Sequence, residues 1–404
     1  MGIKQKGRTL TLALGIGAAA VIAALLIWLF SVPGTRGLYR WGYAAPFLAF
    51  IGLGLFAPAL ALGLVALQRS RPASGGAFKR LRLFSRSVSI VALLAGLGAG
   101  AFILSNAYGP RAPAELRPTL PDPGKDLTHP AGRLLRVALS SDPHVDRDIS
   151  NHAARAAILS RAQAEYEGGE LDAFFILGDF VEQGFLASGW ERALGELREL
   201  APSLPFYMLL GNHDAMLGGS RRWLAAMAPT NYARHSPYMW RLDAGRIHFL
   251  ALDLPWGPED LSHREKAWLE TQLSGIAAED ITIVLSHAFF YSSGYVDEGT
   301  GKAWYDHEDN LRLIAPLLAG RADIVISGHN HYMEWIESGG TAWAVIGAMG
   351  GKPDPEPSYR SPGSQWFARE RYGRLVLEEL PEGLRCAFES HEGERLFERV
   401  IAYR

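Results

Sequence analysis

The sequence of 404 residues contains one cysteine, Cys386, so no disulfide can form within it. Cys386 lies in the alternating run Leu384-Arg385-Cys386-Ala387-Phe388, where it reads as a small buried hydrophobe rather than a reactive thiol. Net charge is nearly absent as well. Forty Lys and Arg against 42 Asp and Glu leave −2 at pH 7, so no global field draws the chain to nucleic acid. Three long stretches carry no charge at all: Thr9 to Phe30, about Ala44 to Leu67, and about Ser87 to Leu104. A run of about 20 apolar residues crosses a hydrocarbon core, and each stretch approaches that length. None of them holds a carboxylate or a histidine, which gives no support to transport or proton relay.

These stretches are expected to form a bundle of three transmembrane helices in a membrane domain spanning residues 1–105. Lys4, Lys6 and Arg8 precede the first, as they would in a signal peptide, but its apolar core is too long and no small-x-small cleavage site follows Phe30. The loop after the first stretch carries only Arg36 and Arg40. The loop after the second carries Arg69, Arg71, Lys79, Arg80, Arg82 and Arg86. Basic loops stay cytoplasmic, so the chain leaves the third span on the outer side. The expectation is a multi-pass protein of a bacterial inner membrane with its remaining mass extracytoplasmic. Residues 106–132 come next, with Pro110, Pro113, Pro118, Pro121, Pro123 and Pro130. Proline fixes φ and removes donors, so this linker should be extended, either as a semi-rigid spacer or draped over the globular part of the chain.

Residues 133–404 alternate strand-like and helix-like segments, an α/β pattern that places polar residues at strand ends. Strands are expected over Leu134 to Ser140, Ala173 to Leu177, Phe206 to Leu210, Ile281 to Leu285 and Asp323 to Ser327, with a hairpin turning near Ala244-Gly245. The tail from Met333 reads as a second sheet. After the five strands come five polar blocks: Asp142-Pro143-His144, Gly178-Asp179-Phe180-Val181-Glu182, Gly211-Asn212-His213-Asp214, Ser286-His287 and Gly328-His329-Asn330-His331. Imidazole with carboxylate and amide oxygen suits Zn, Fe, Mn or Ni. Seven such ligands are too many for one tetrahedral ion and about right for two ions sharing a carboxylate.

This order of blocks resembles the calcineurin-like metallophosphoesterase family, and the hairpin before a helix resembles its purple-acid-phosphatase-like branch. The resemblance implies a four-layer α/β/β/α sandwich of two sheets flanked by helices. It implies two divalent metal ions, Mn, Fe or Zn: one held by Asp142, His144 and His331, the other by Asn212, His287 and His329, with Asp179 bridging. A metal-bridging hydroxide would attack the phosphoryl group in line. His213 would serve as general acid, oriented by Asp214 through its other ring nitrogen. Purple acid phosphatases carry a tyrosine ligand three residues after the bridging aspartate. Glu182 stands there, so no tyrosinate-to-iron charge transfer is expected and Glu182 should hydrogen-bond within the site. Phe289, Phe290 and Tyr291 read as core packing or as a substrate groove. Arg221 and Arg222 read as a solvated helix face or as contacts to a substrate phosphate.

The resulting expectation is a membrane-anchored dimetal phosphoesterase acting on phosphate mono- or diesters, with a lipid or lipid-linked ester suggested by the anchor. No nucleic acid and no obligate protein partner are expected. The rival from another class is a non-catalytic membrane assembly or sensor subunit with a metal-binding relic domain. The intact ligand set, together with His213 and Asp214, argues against it.

Overall fold

The computed structural model describes residue 118 to the C-terminus, apart from 122–124, 128–131, 146–149, 217–218, 227–237, 258 and 308, together with Leu94 and Gly98. Among the described residues no helix is long and apolar enough to cross a membrane. The three expected spans lie outside the described residues but for Leu94 and Gly98.

The strands and helices follow one another as β1 (Arg136–Ser140), α1 (His152–Glu167), β2 (Ala173–Ile176), α2 (Ala187–Leu200), β3 (Phe206–Met208), α3 (Asn212–Ala215) and α4 (Ser220–Ala226). Next come β4 (Trp240–Ala244), β5 (Ile247–Ala251), α5 (His263–Ser274), β6 (Ile281–Ser286), α6 (Asp309–Leu313), α7 (Ala315–Leu318) and β7 (Ile324–Ser327). The chain ends in β8 (Met333–Ser338), β9 (Thr341–Ile346), β10 (Ser364–Ala368), β11 (Gly373–Leu380), β12 (Gly383–Ser390) and β13 (Arg395–Ala402). Local chemistry sets several boundaries. The Asn151 side chain caps α1 by accepting from the Ala154 amide, and Ser262 with Glu265 forms a capping box at α5. Gly245, at φ 62°, makes the turn of the β4–β5 hairpin where the sequence places it.

Two sheets stack face to face. The first has the order β13-β12-β11-β1-β2-β3, the second β10-β8-β9-β7-β6-β5-β4. In the first, β1, β2 and β3 are parallel; in the second, β5, β6, β7 and β9 are parallel. The tail therefore does not form a sheet of its own, in contrast to the expectation from its sequence. β8, β9 and β10 complete the second sheet, and β11, β12 and β13 complete the first, β11 pairing antiparallel with β1. Short alternating strands carry no local record of their partner, and pairing across more than 200 residues is decided by which sheet edge is open.

Between the sheets lies one apolar core, in which Val137, Leu139, Phe175 and Leu377 of the first sheet meet Phe249, Ile283, Ile326 and Trp335 of the second. Cys386 is part of this core, and burial pushes its thiol well above the usual range. On the outer face of the second sheet, Leu250, Val284 and Val325 pack against Trp268, Leu269 and Leu273 of α5 and Leu318 of α7. Strands covered on both faces are buried throughout, as β2 and β6 are, and mostly apolar. On the first sheet, Arg374 of β11 reaches Glu165 of α1 and Glu389 of β12.

The described part of the proline-rich linker drapes over the domain. Thr119 pairs with Pro205 just before β3 begins, and the Leu127 amide donates to the Asp243 carbonyl at 2.8 Å. Both contacts sit at the end of the sandwich where the parallel strands start, remote from the blocks at their carboxyl ends.

Arg374 is 1% exposed, and its guanidinium is fully committed to two carboxylates. Breaking a buried pair by removing one partner costs about 3 kcal/mol or more. Arg374→Met is expected to lower the urea-unfolding free energy by about that amount; a change under about 0.5 kcal/mol would contradict this assignment.

Candidate metal centre

All five blocks meet at the carboxyl ends of β1, β2, β3, β6 and β7, which brings loops from both sheets to one place. The ligand-type atoms of Asp142, His144 and His331 lie within 4.8 Å of one another. The same holds for Asp179, His287 and His329, and for His144, Asp179 and His213. The backbone is bent to achieve it. Among the described residues, Asp142 (φ 60°), His144 (45°), Asp179 (51°) and His329 (70°) are four of the five non-glycine residues in the left-handed region. Each such residue costs about 1–2 kcal/mol, and strain of this kind collects at functional sites. Gly178 permits the approach of the blocks: a Cβ there would lie 2.6 Å from His287 Nδ1 and 2.7 Å from Gly211 Cα.

Hydrogen bonds at one ring nitrogen decide what the other can do. His144 Nδ1 is 2.7 Å from Glu182 Oε2, His287 Nδ1 is 2.7 Å from the Leu177 carbonyl, and His331 Nδ1 is 2.5 Å from the Lys352 carbonyl. A carbonyl or carboxylate only accepts, so each Nδ1 carries the proton and donates it. Each Nε2 is turned inward, where it can hold either a proton or a cation. There it meets other acceptors: His144 Nε2 and His331 Nε2 are 3.2 Å apart, and His287 Nε2 is 3.0 Å from Asn212 Oδ1. Asp142 Oδ1 lies 3.5 Å from His331 Nε2 and 3.7 Å from His144 Nε2, and it is buried with no hydrogen-bond partner. Asp179 Oδ2 lies 3.6 Å from His144 Nε2 and 3.4 Å from His287 Nε2, so it belongs to both groups. Ligands about 2.1 Å from one cation are about 3.0–3.4 Å apart, close to the separations found here. Converging ring nitrogens with an orphaned carboxylate oxygen are the donor set of a cation site, and these residues fit the divalent ions that the sequence implies.

Charge tells the same story. Burial alone would depress His144 and His287, yet the carboxylates of Asp142, Glu182 and Asp179 raise His144 to about 10. Asp179 and Asp142 raise His287 to about 9. Burial and the neighbouring His287 push His329 down to about 3, which keeps it neutral. Against their own burial, Asp142 and Asp179 are held well below the usual carboxylate range by the histidines around them.

Two expectations are corrected by the geometry. Asp214 does not orient His213. It is the third residue of the α3 turn, and its carboxylate turns back to accept from the Gly211 and Val181 amides, both at 3.0 Å. Adjacent residues on a helix do not face each other, so Asp214 cannot reach the ring beside it. It ties the third block to the second. Burial and the facing Asp179 push it up, to about 7. His213 is instead held by the Glu182 carbonyl, 2.8 Å from its Nδ1, with the Glu182 carboxylate 3.8 Å away. Glu182 thus serves both His144 and His213, the within-site hydrogen bonding expected of it. Arg222 is buried, with its Nε donating to the Phe185 carbonyl at 3.0 Å, and is an internal tie rather than a solvated face. Phe289 stacks on His329 with ring centroids 5.8 Å apart and faces Trp304 and Tyr305 behind it.

Sequence reasoning missed the loop after β9 and the tryptophan after β5. In Gly347-Ala348-Met349-Gly350-Gly351-Lys352-Pro353-Asp354, Lys352 supplies the carbonyl for His331, and Asp354 accepts from the His331 amide at 2.7 Å. A Cβ on Gly351 would lie 2.6 Å from His331 Cε1 and 2.8 Å from His144 Cδ2. The glycine-rich spelling was the available signal. Trp256 meets His329 edge-on at 5.2 Å.

Residues 135–333 match the model of the calcineurin-like phosphoesterase family. That match falls wholly within the two-sheet sandwich and takes in all five blocks. No curated protein matches the chain. Among solved structures, a purple acid phosphatase, PPD1, from seeds of yellow lupin (Lupinus luteus) is similar at 17% identity and a TM-score of 0.56. The match covers 69% of this chain and 55% of the lupin protein, so the chain spans about half of that relative's length. The fold is thus shared, with no more implied. GAP50, the anchor in the inner membrane complex of Plasmodium, matches at 20% identity and a TM-score of 0.49, over 67% of this chain and 90% of its own. A putative 5'-nucleotidase from Staphylococcus aureus matches at 15% identity and a TM-score of 0.38, over 65% and 54%.

A cation entering this site must displace the protons that His144 and His287 hold at neutral pH. Metal uptake at pH 7 is expected to release protons, and the apparent affinity is expected to rise as pH increases towards 9. Calorimetric titration with manganese in buffers of different ionisation enthalpy reads both; binding without proton release contradicts the charge assignment. Gly351→Ala is expected to weaken metal binding about tenfold or more while the domain stays folded, with unchanged binding as the contrary result.

Proposed function

We propose that the chain is a metal-dependent hydrolase of phosphate esters whose two cations are shared among Asp142, His144 and His331, Asn212, His287 and His329, and Asp179. One observation carries this reading: three histidines, each fixed at Nδ1, turn Nε2 inward towards two buried aspartates, Asp142 and Asp179. A relic that had lost its chemistry would have no need of that arrangement or of its backbone strain. Manganese, iron and zinc all suit the donor set.

A pair of divalent cations, when bound, neutralises phosphoryl oxygens and acidifies water for attack. The chain's own residues do the rest. Asp179, with Oδ1 held by the His213 amide at 2.8 Å, keeps Oδ2 for the two groups of ligands. His213 is 26% exposed in its side chain, at the mouth of the site. Its Nδ1–H donates to the Glu182 carbonyl, which leaves Nε2 to deliver a proton to the leaving-group oxygen. Glu182 stands where a tyrosine ligand would give colour, so an iron-loaded protein should lack a tyrosinate charge-transfer band.

The uncharged stretches of residues 9–104 and the basic loops between them support a membrane anchor with the catalytic domain on the extracytoplasmic side. An anchor favours a lipid or lipid-linked ester. The described linker joins the domain at the end remote from the site, which suits a soluble monoester or diester equally well.

With a generic aryl phosphodiester and manganese, Asp179→Asn should fall to the uncatalysed background, and His213→Ala should lose about 100- to 10,000-fold in kcat. Equal rates for Asp179→Asn and the parent would rule out the shared-carboxylate mechanism. Protease added to intact spheroplasts should digest the domain; full protection would place it inside.

A further inference from the structure

Behind the Asp142-Pro143-His144 turn lies a buried ion pair that the proposed chemistry leaves unused. Arg155 of α1 is 3% exposed. Its Nε and Nη2 donate to Glu196 Oε1 and Oε2 of α2 at 2.6 and 3.0 Å. Its Nη1 donates to the Pro143 carbonyl at 3.0 Å and to the Ser150 hydroxyl at 3.2 Å. The Pro143 carbonyl belongs to the peptide that joins Pro143 to His144, between two residues held at φ 60° and 45°. The rest of that turn is tied to the other blocks. The Asp142 and His144 amides donate to the Gly178 and Asp179 carbonyls, and the Asp142 carbonyl accepts from Gly351. Proline has no amide hydrogen to add, so Arg155 supplies the remaining anchor.

The same guanidinium meets the loop that holds His331. A Cβ on Gly350 would lie 3.0 Å from Arg155 Nη1 and 3.0 Å from the Pro143 carbonyl, and the Asn151 amide donates to the Gly350 carbonyl at 2.7 Å. The start of α1 thus grips both segments that deliver Asp142, His144 and His331. We propose that Arg155, aimed by Glu196, is a positioning residue for the metal centre: it holds the left-handed turn in the conformation that presents these three ligands. The inference rests on the dimetal reading above. Arginine suits the task because its planar fork meets a carboxylate on one side and keeps a second donor for a carbonyl, which the single ammonium of lysine cannot do at once.

The test compares Arg155→Met and Arg155→Lys with Arg374→Met, which breaks the other buried Arg–Glu network at α1 but touches no residue of the site. Manganese binding to the full chain is followed by electron paramagnetic resonance of the free ion, and the fold by circular dichroism. The parent should take up two ions. Arg155→Met should bind one with the parent's affinity and the other about 10- to 100-fold more weakly. Arg155→Lys should fall between, and it decides the matter if Arg155→Met does not fold. Arg374→Met should melt earlier yet bind both ions as the parent does. The proposal is overturned if both Arg155 variants bind two ions like the parent, or if Arg374→Met loses as much affinity as they do. A parent that takes up no manganese would overturn the dimetal reading itself.

Discussion

Lone pairs that face one another in a buried space repel unless something positive lies between them. That constraint governs this structure. His144, His287 and His331 each donate through Nδ1–H to a carboxylate or carbonyl, so their Nε2 atoms face inward and must take up a proton or a cation. Asp142 and Asp179 add acceptor oxygens to the same space. Protons are one answer, and the raised values of His144 and His287 record it. Divalent cations are the other. Burial makes these charges matter: the same groups in water would be screened and would impose little on their neighbours.

The fold holds this unfavourable arrangement with rigid parts. Parallel strands of two sheets end at the same place, and the apolar core between the sheets fixes their separation. Turns that immediately follow those strands carry the ligands, so little freedom remains between scaffold and site. The left-handed residues at Asp142, His144, Asp179 and His329 have conformations that free chains avoid. They persist because hydrogen bonds from several elements over-determine them: amides into Asp142 and Asp179, carbonyls onto the rings, and the Arg155 fork behind the first turn.

How much of this could be read in the sequence depends on range. The strands before the blocks are short apolar runs, and the blocks themselves are local spellings, so the gathering of these side chains at one place and the α/β sandwich were legible. Asp214 was not. Its neighbour His213 suggested a partnership that the geometry of a helical turn forbids. The tail was legible as strands but not in its division between two sheets, because pairing there depends on edges built by distant segments. Lys352, Asp354 and Arg155 act on the site from loops and helices whose sequences carry no metal-binding signature. The uncharged N-terminal stretches are read from composition alone, since they lie outside the described residues.

Anomalous diffraction from crystals grown with manganese addresses the central claim most directly. The dimetal reading predicts two peaks per chain, one among Asp142, His144 and His331 and one among Asn212, His287 and His329, with Asp179 touching both. A fully ordered site with no peak at saturating manganese, the histidine Nε2 atoms bridged only by water, would contradict it.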